Sequence, residues 1–290
     1  NSLIKISLKK IILVFISFIS LVCFSQNNNS NKFESPIDFP ILLSGNFGEL
    51  RSSGFHSGID IKTQGKEGLP IRSIDSGYVA RVQVSTSGFG KVVYIDHGNN
   101  ITTVYAHLSE FSDKIEKIMN KLQYKNKKYE VRKFFKSNEL KIGKKEIIGL
   151  SGNTGSSFGP HLHFEIRKTD KELPINPLYY NFDVKDTIRP YLRSLFLYGI
   201  KNGSLRKKQL NLSKVNDSTF TTGTIKTTDT IGFGVVSYDR QNKTNNIFGN
   251  YKYSLYKNDT LSFELIFDSF TFSEKPFQKK FIDNEYYVQN

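Results

Sequence analysis

The sequence predicts a mostly β fold of antiparallel strands, interrupted by one helical insert and followed by a second β module. Three observations carry this. Residues 68–85 (GLPIRSIDSGYVARVQVS) and 90–108 (GKVVYIDHGNNITTVYAHL) alternate apolar and polar side chains between glycine-rich breaks, the period of half-buried strands. Helical spacing marks 109–128, where Phe111, Ile115, Ile118, Met119 and Leu122 share one stripe. From 191 to 275 the composition shifts to Thr, Tyr, Phe, Asn and Lys, and alternation returns in TIGFGVVSYD and GNYKYSLYKNDTLSFELIF. That pattern predicts a β-sandwich, immunoglobulin-like in type.

The elements follow in chain order. Residues 1–25 carry Lys5, Lys9 and Lys10, then an apolar run from Ile11 to Phe24 and the small Ser25, the layout of a secretory signal peptide cut before Gln26. An uncleaved membrane anchor is the rival reading, but the run is short for a span of about 20 residues, and polar QNNNSN follows it. A lipid anchor on Cys23 is less favoured, because Val22 is bulky where such sites want a small residue. Residues 26–35 read as a polar linker. Residues 36–180 read as the first domain, with an insert over about 111–140, and 190–290 as the second. In the first domain, DHGNN signals a hairpin between β-branched runs, and Ser112 offers the helix an N-cap. The closing stretch KPFQKKFIDNEYYVQN shows no evident strand, so the sandwich is expected to be incomplete. With Met119 the single methionine, Asn1 is likewise expected to lie inside a longer chain.

Composition narrows the chemistry. At 38% hydrophobic, the 290 residues can bury a real core, which excludes wholesale disorder. If Cys23, the single cysteine, leaves with the signal, the mature chain has neither disulfide nor thiol nucleophile. Any metal must then be held by histidine and carboxylate. Losing Lys5, Lys9 and Lys10 takes the net charge from +14 to +11. A basic exported chain suits an anionic polymer such as a cell wall, or a lipid surface. Export argues against nucleic acid, no stable membrane span is expected after cleavage, and a plain lysine-rich surface accounts for the charge equally well.

All five histidines fall in the first domain. In GPHLHFEIR (160–168) a strand puts His161, His163 and Glu165 on one face and Leu162, Phe164 and Ile166 on the other. The apolar trio reads as a core face; the imidazoles opposite can hold a metal, move a proton or do neither. FHSGIDI (55–61) sets His56 and Asp60 four apart, on one face of extended chain, with Ile59 and Ile61 toward the core. Together with one strand histidine they offer two nitrogens and an oxygen, and three protein ligands plus a water is the pattern of a catalytic zinc site. Taken singly, each piece is more often a hydrogen-bonded pair than a ligand set. His97, inside the DHGNN turn, reads as structural, and Glu165 as a hydrogen-bonding or ion-pairing group. Tyr105, two before His107, is placed on the same side, either lining a substrate groove or simply packing.

The words around these residues, GNFGELRSSGFHSGIDI, YAHL and IGLSGNTGSSFGPHLHFEIR, resemble the M23 metallopeptidases, the lysostaphin-like and LytM-like peptidoglycan endopeptidases, over about residues 39–178. The resemblance implies a small antiparallel β core of the duplicated hybrid motif type, with a narrow groove over Zn2+. It implies His56, Asp60 and His163 as metal ligands and His107 and His161 as catalytic histidines, without saying which is the base. The implied function is hydrolysis of peptidoglycan peptides in the periplasm or envelope. Some members of the family lose ligands and serve as non-catalytic regulators or scaffolds of other wall hydrolases; here all five positions carry the required His or Asp. A further alternative puts the function in the C-terminal module, as a surface for an envelope protein. The insert departs from a minimal member, and is expected either to wall the groove or to pack at its side.

Overall fold

The computed structural model describes residues 33–290 apart from 52–53, 181, 202–203, 227–229, 275–281, 284 and 287–290. The signal sequence expected over 1–25, with most of the linker, lies outside the described residues. The alternating segments form a nine-stranded antiparallel sheet. Its spatial order is Leu43–Gly45, Ile59–Lys62, His161–Lys168, Ile101–Leu108, Lys91–Asp96, Gly77–Val84 and Val131–Phe134. Lys141–Ile142 pairs beside Gly77–Val84, and Leu173–Ile175 beside His161–Lys168.

Register places the site. His163 lies opposite Asp60 on one neighbour and Ala106 on the other, so three motifs distant in sequence meet at one level of three adjacent strands. Ile59, Ile61, Leu162, Phe164 and Ile166 have no exposed surface and anchor the main core. The opposite face is also covered, by Val92, Tyr94, Val104 and Ala106 with Phe89 packed on them. Burial on both faces leaves little freedom to slip, because a one-residue shift would turn His163 and Asp60 into the core. The DHGNN turn runs through three consecutive positive φ angles, at Gly98, Asn99 and Asn100 (75°, 50° and 62°), a conformation that glycine and asparagine tolerate best.

The insert holds the helix Asp113–Asn126, with Ile115 and Met119 buried and Ile118 and Leu122 packed on the same core. Phe111 belongs to the short strand Glu110–Phe111, paired with Ile147–Leu150. Ser112 is the N-cap in an extended conformation, but its hydroxyl makes no cap bond and is buried without a partner. Glu116 instead reaches back to accept the Phe111 N–H at 3.0 Å. After the helix, Val131–Phe134 adds a strand to the main sheet. The insert is therefore built into the sheet as well as packed beside it.

Beyond residue 190 the strands remain antiparallel. Ser204–Leu210, Tyr191–Lys201 and Thr230–Tyr238 form a three-stranded sheet, and Lys252–Lys257 pairs with Thr260–Ile266. This part is joined to the first: residues from Phe33 onward make one compact unit, Phe248 enters the main core, and Ser269 bridges Ile175.

Candidate metal centre

His56 sits at the entry to the Ile59–Lys62 strand, Asp60 within it, and His163 on the strand beside it. Gly58 makes the approach of these strands feasible, since a Cβ there would lie 2.3 Å from the Phe164 carbonyl oxygen. The three side chains are buried, and Nε2 of His56, Oδ1 of Asp60 and Nδ1 of His163 form a triangle with edges of 3.1, 2.9 and 3.0 Å. A triangle of that size suits one ion at about 2.0–2.1 Å from each donor. Among the described residues this is the group that can hold a metal, and two imidazoles with one carboxylate are donors that zinc accepts.

Each donor is oriented from behind. His56 donates Nδ1–H to the Asn46 carbonyl at 2.8 Å, which leaves the Nε2 lone pair facing the triangle. Arg51 holds Oδ2 of Asp60 at 2.6 Å, leaving Oδ1 inward. His163 donates Nε2–H to Glu165 at 2.8 Å, so its Nδ1 faces the triangle. Glu165 is itself gripped by the Ser57 hydroxyl at 2.6 Å and by Arg167 at 2.5 Å. Such backing fixes both the tautomer and the direction of a ligand.

Two of the three remaining histidines, His161 and His107, flank this group. His161 donates Nδ1–H to the Gly159 carbonyl at 2.8 Å, and its Nε2 lies 3.5 Å from Oδ1 of Asp60. His107 donates Nδ1–H to the Thr154 carbonyl at 2.8 Å, which frees its Nε2, and its ring lies 4.8 Å from that of His161. His107 arrives there through a bulge. Lys91 opposes Leu108 and Val93 opposes Tyr105, so two residues, Ala106 and His107, face the single Val92. His107 takes φ 61°, a left-handed conformation that costs a non-glycine residue of order 1–3 kcal/mol. Strict alternation would aim His107 at the face Tyr105 occupies; the bulge re-aims it toward the histidines.

The same bulge corrects the expectation for Tyr105. Its side chain has no exposed surface, lies tilted against Phe164 with ring centroids 5.3 Å apart, and accepts the Ile74 N–H and the Thr103 hydroxyl at 3.1 Å each. It is a core residue and lines no groove. His97 hydrogen-bonds the Ser76 carbonyl and Thr103 in its turn, away from the cluster. Arg51, the Asn46 and Thr154 carbonyls, and Phe89, whose ring lies 5.1 Å from that of His163, were not singled out from sequence. Arg51 had a signal, a cation within the motif that carries His56; backbone carbonyls leave none.

Burial, followed by the neighbouring imidazoles of His163 and His161, pushes His107 down to about 3, so it is neutral over the working range. Burial alone would also lower His163, but its hydrogen bonds to Asp60 and Glu165 win and raise it to about 9. A histidine raised in the folded state contributes stability that is complete below its unfolded value of about 6.5 and is lost as pH rises through the folded one. A metal must displace the His163 proton from Nδ1. The rise in Tm given by zinc is therefore expected to grow between about pH 6.5 and 9, with one proton released per ion at pH 7. Calorimetry in two buffers of different ionisation enthalpy counts that proton; a release of none contradicts the assignment.

Comparison with known proteins locates the cluster in a family. The model of "Peptidase family M23" matches residues 54–124 and 117–177, a span that holds all five site residues. The "DD-carboxypeptidase/endopeptidase Mpg" of Neisseria meningitidis is 32% identical over 129 residues, 44% of this chain and 23% of that protein's length. The "Peptidoglycan DD-endopeptidase ShyA" of Vibrio cholerae is 28% identical over 159 residues, 53% of this chain and 30% of that protein. The match thus spans less than a third of either relative. Among solved structures, the catalytic domain of the prophage-encoded M23 protein EnpA from Enterococcus faecalis aligns with a TM-score of 0.38 at 26% identity, over 52% of this chain and 98% of that one. The stretch 54–177 of this chain, with the His56, Asp60 and His163 cluster inside it, matches the model of peptidase family M23.

Proposed function

We propose that the chain is an exported zinc metalloendopeptidase that hydrolyses peptide bonds in the cross-links or stem peptides of peptidoglycan. The observation that carries this reading is the five-residue arrangement: a buried His56, Asp60 and His163 triangle with its tautomers fixed, flanked by two histidines tied at Nδ1 to backbone carbonyls, with Nε2 of His161 3.5 Å from Oδ1 of Asp60. The named activities of the Neisseria and Vibrio relatives support the substrate, and the layout of residues 1–25 supports export. No helix among the described residues is long and apolar enough to cross a membrane.

In this role His56, Asp60 and His163 hold the ion, and the negative charge of Asp60 offsets part of its own. Bound there, zinc supplies Lewis acidity toward the scissile carbonyl and a nucleophile from water near neutral pH. One of His107 and His161 takes the proton of the attacking water at Nε2. The other, once protonated, places its Nε2–H where negative charge develops on the carbonyl oxygen. Burial keeps His107 neutral at pH 7.

Single His107→Ala and His161→Ala variants are expected to keep their zinc while losing about 10²–10⁴-fold in hydrolysis of a soluble cross-linked stem peptide. Zinc content by atomic absorption and release of free amines check both halves. A His161→Ala variant as fast as the unaltered chain would contradict the role.

A further inference from the structure

The segment from Ser44 to His56 lies between the metal centre and the C-terminal strands. On its inner side it supplies the Asn46 carbonyl to His56, Arg51 to Asp60, and His56 itself. Its outer side is held from the C-terminal region at several points. The Asn46 side chain donates to the Gly249 carbonyl at 2.6 Å and accepts the Gly249 N–H at 3.3 Å. Asn246 donates to the Ser44 carbonyl at 3.3 Å. Buried Gln241 satisfies the backbone next to the segment, accepting from Leu43 N–H at 2.8 Å and donating to the Ile41 carbonyl at 3.0 Å. Phe267 packs edge-on against Phe55 at 5.1 Å and fills the space over Gly48, where a Cβ would lie 2.6 Å from its ring. Phe270 packs at a tilt against Phe47, ring centroids 5.2 Å apart.

A segment that ends in a two-residue hairpin, Leu50–Arg51 with Gly54–Phe55, has little secondary structure of its own to hold a metal ligand. We infer that the C-terminal region is an intramolecular brace: through Asn46, Gly249 and Phe267 it fixes the segment that aims His56 and Asp60, and so sets the metal affinity of the peptidase domain. Asn46 joins the two directly, its side chain gripped by Gly249 and its carbonyl accepting the hydrogen bond of His56 Nδ1–H. Asn46 and Phe267 act through His56 and Asp60 as positioning residues. The C-terminal strands are then part of the working site and more than a tethered module.

The inference rests on the zinc-peptidase reading, and the whole chain is used to test it. Asn46→Ala removes the grip on Gly249 but keeps the backbone carbonyl that serves His56; Phe267→Leu loosens the packing without emptying it. Zinc affinity is measured by competition with a chromogenic chelator, well below the Tm of each metal-free protein. Disturbing an outer partner costs about 10–100-fold in metal affinity, and both variants are expected to weaken zinc binding by about tenfold. Tyr198→Phe, which removes a hydrogen bond to Asp283 inside the C-terminal region, is expected to stay within about twofold of the unaltered chain. A role in stability alone would lower the Tm of the metal-free variants and leave zinc affinity unmoved. Affinities for Asn46→Ala and Phe267→Leu equal to that of the unaltered chain overturn the brace alone, whereas an unaltered chain that takes up no zinc overturns the peptidase reading with it.

Discussion

Asp60→Ala is expected to abolish zinc binding and hydrolysis together. Asp60 supplies the one negative charge in the triangle, and its Oδ1 lies within 3.5 Å of His56, His161 and His163. Burial opposes that charge, but the three histidines outweigh it and hold the carboxyl well below its ordinary range. Without it, two neutral imidazoles would have to hold a dication close to the Arg51 guanidinium, which is left with Glu49 as its anionic partner. Removing an outer-shell partner alone costs about 10–100-fold in metal affinity. Loss of the ligand itself is expected to exceed about a hundredfold, with hydrolysis falling in proportion to zinc occupancy. Chelator competition and rate assays on the same protein check this; an Asp60→Ala variant that keeps stoichiometric zinc would remove Asp60 from the ligand set.

Breaking the Glu165–Arg167 pair is expected to give the largest loss of stability. Glu165 has no exposed surface and Arg167 is 4% exposed. Burial raises Glu165 on its own, but Arg167 and His163 together drive it far below its ordinary value. Replacing either partner by leucine removes the shortest ion pair of a buried charge, leaving Glu165 with His163 or Arg167 with Glu172, at a cost of about 3–5 kcal/mol. At about 2–4 °C per kcal/mol for a unit of this size, Tm is expected to fall by roughly 6–20 °C. The double variant Glu165→Leu with Arg167→Leu should recover much of that loss, because an apolar pair of similar volume often replaces a buried ion pair without penalty. It should not recover zinc affinity, since Nε2 of His163 has lost its acceptor. Thermal melts and chelator competition on the three variants separate the two effects, and a double variant with normal zinc affinity would mean that Glu165 serves stability only.

Periodicity made the central strands legible. Leu162, Phe164 and Ile166 face the core while His161 and His163 turn away, as alternation requires, and the even spacing of His56 and Asp60 sets both beside His163. The DHGNN turn and the helical stripe were readable for equally local reasons. Alternation failed at Tyr105 because a bulge at His107 breaks the period, and a bulge depends on the pairing partner, which one strand's sequence does not contain. Glu165 read as a polar contact, yet its complete burial became visible only when Val92, Tyr94, Val104 and Ala106 closed over the second face of the sheet. Contacts such as Asn46 with Gly249 join residues 203 apart and leave no local pattern at either end.

The proposed function is tested most directly by digesting purified peptidoglycan with residues 26–290 and reading the released fragments by mass spectrometry, with chelator-treated and His161→Ala proteins alongside. Fragments that appear with zinc, vanish with chelator and vanish with His161→Ala are the expected result, and their masses identify the bond cleaved. A folded, zinc-loaded protein that releases no fragments would contradict catalysis by this cluster.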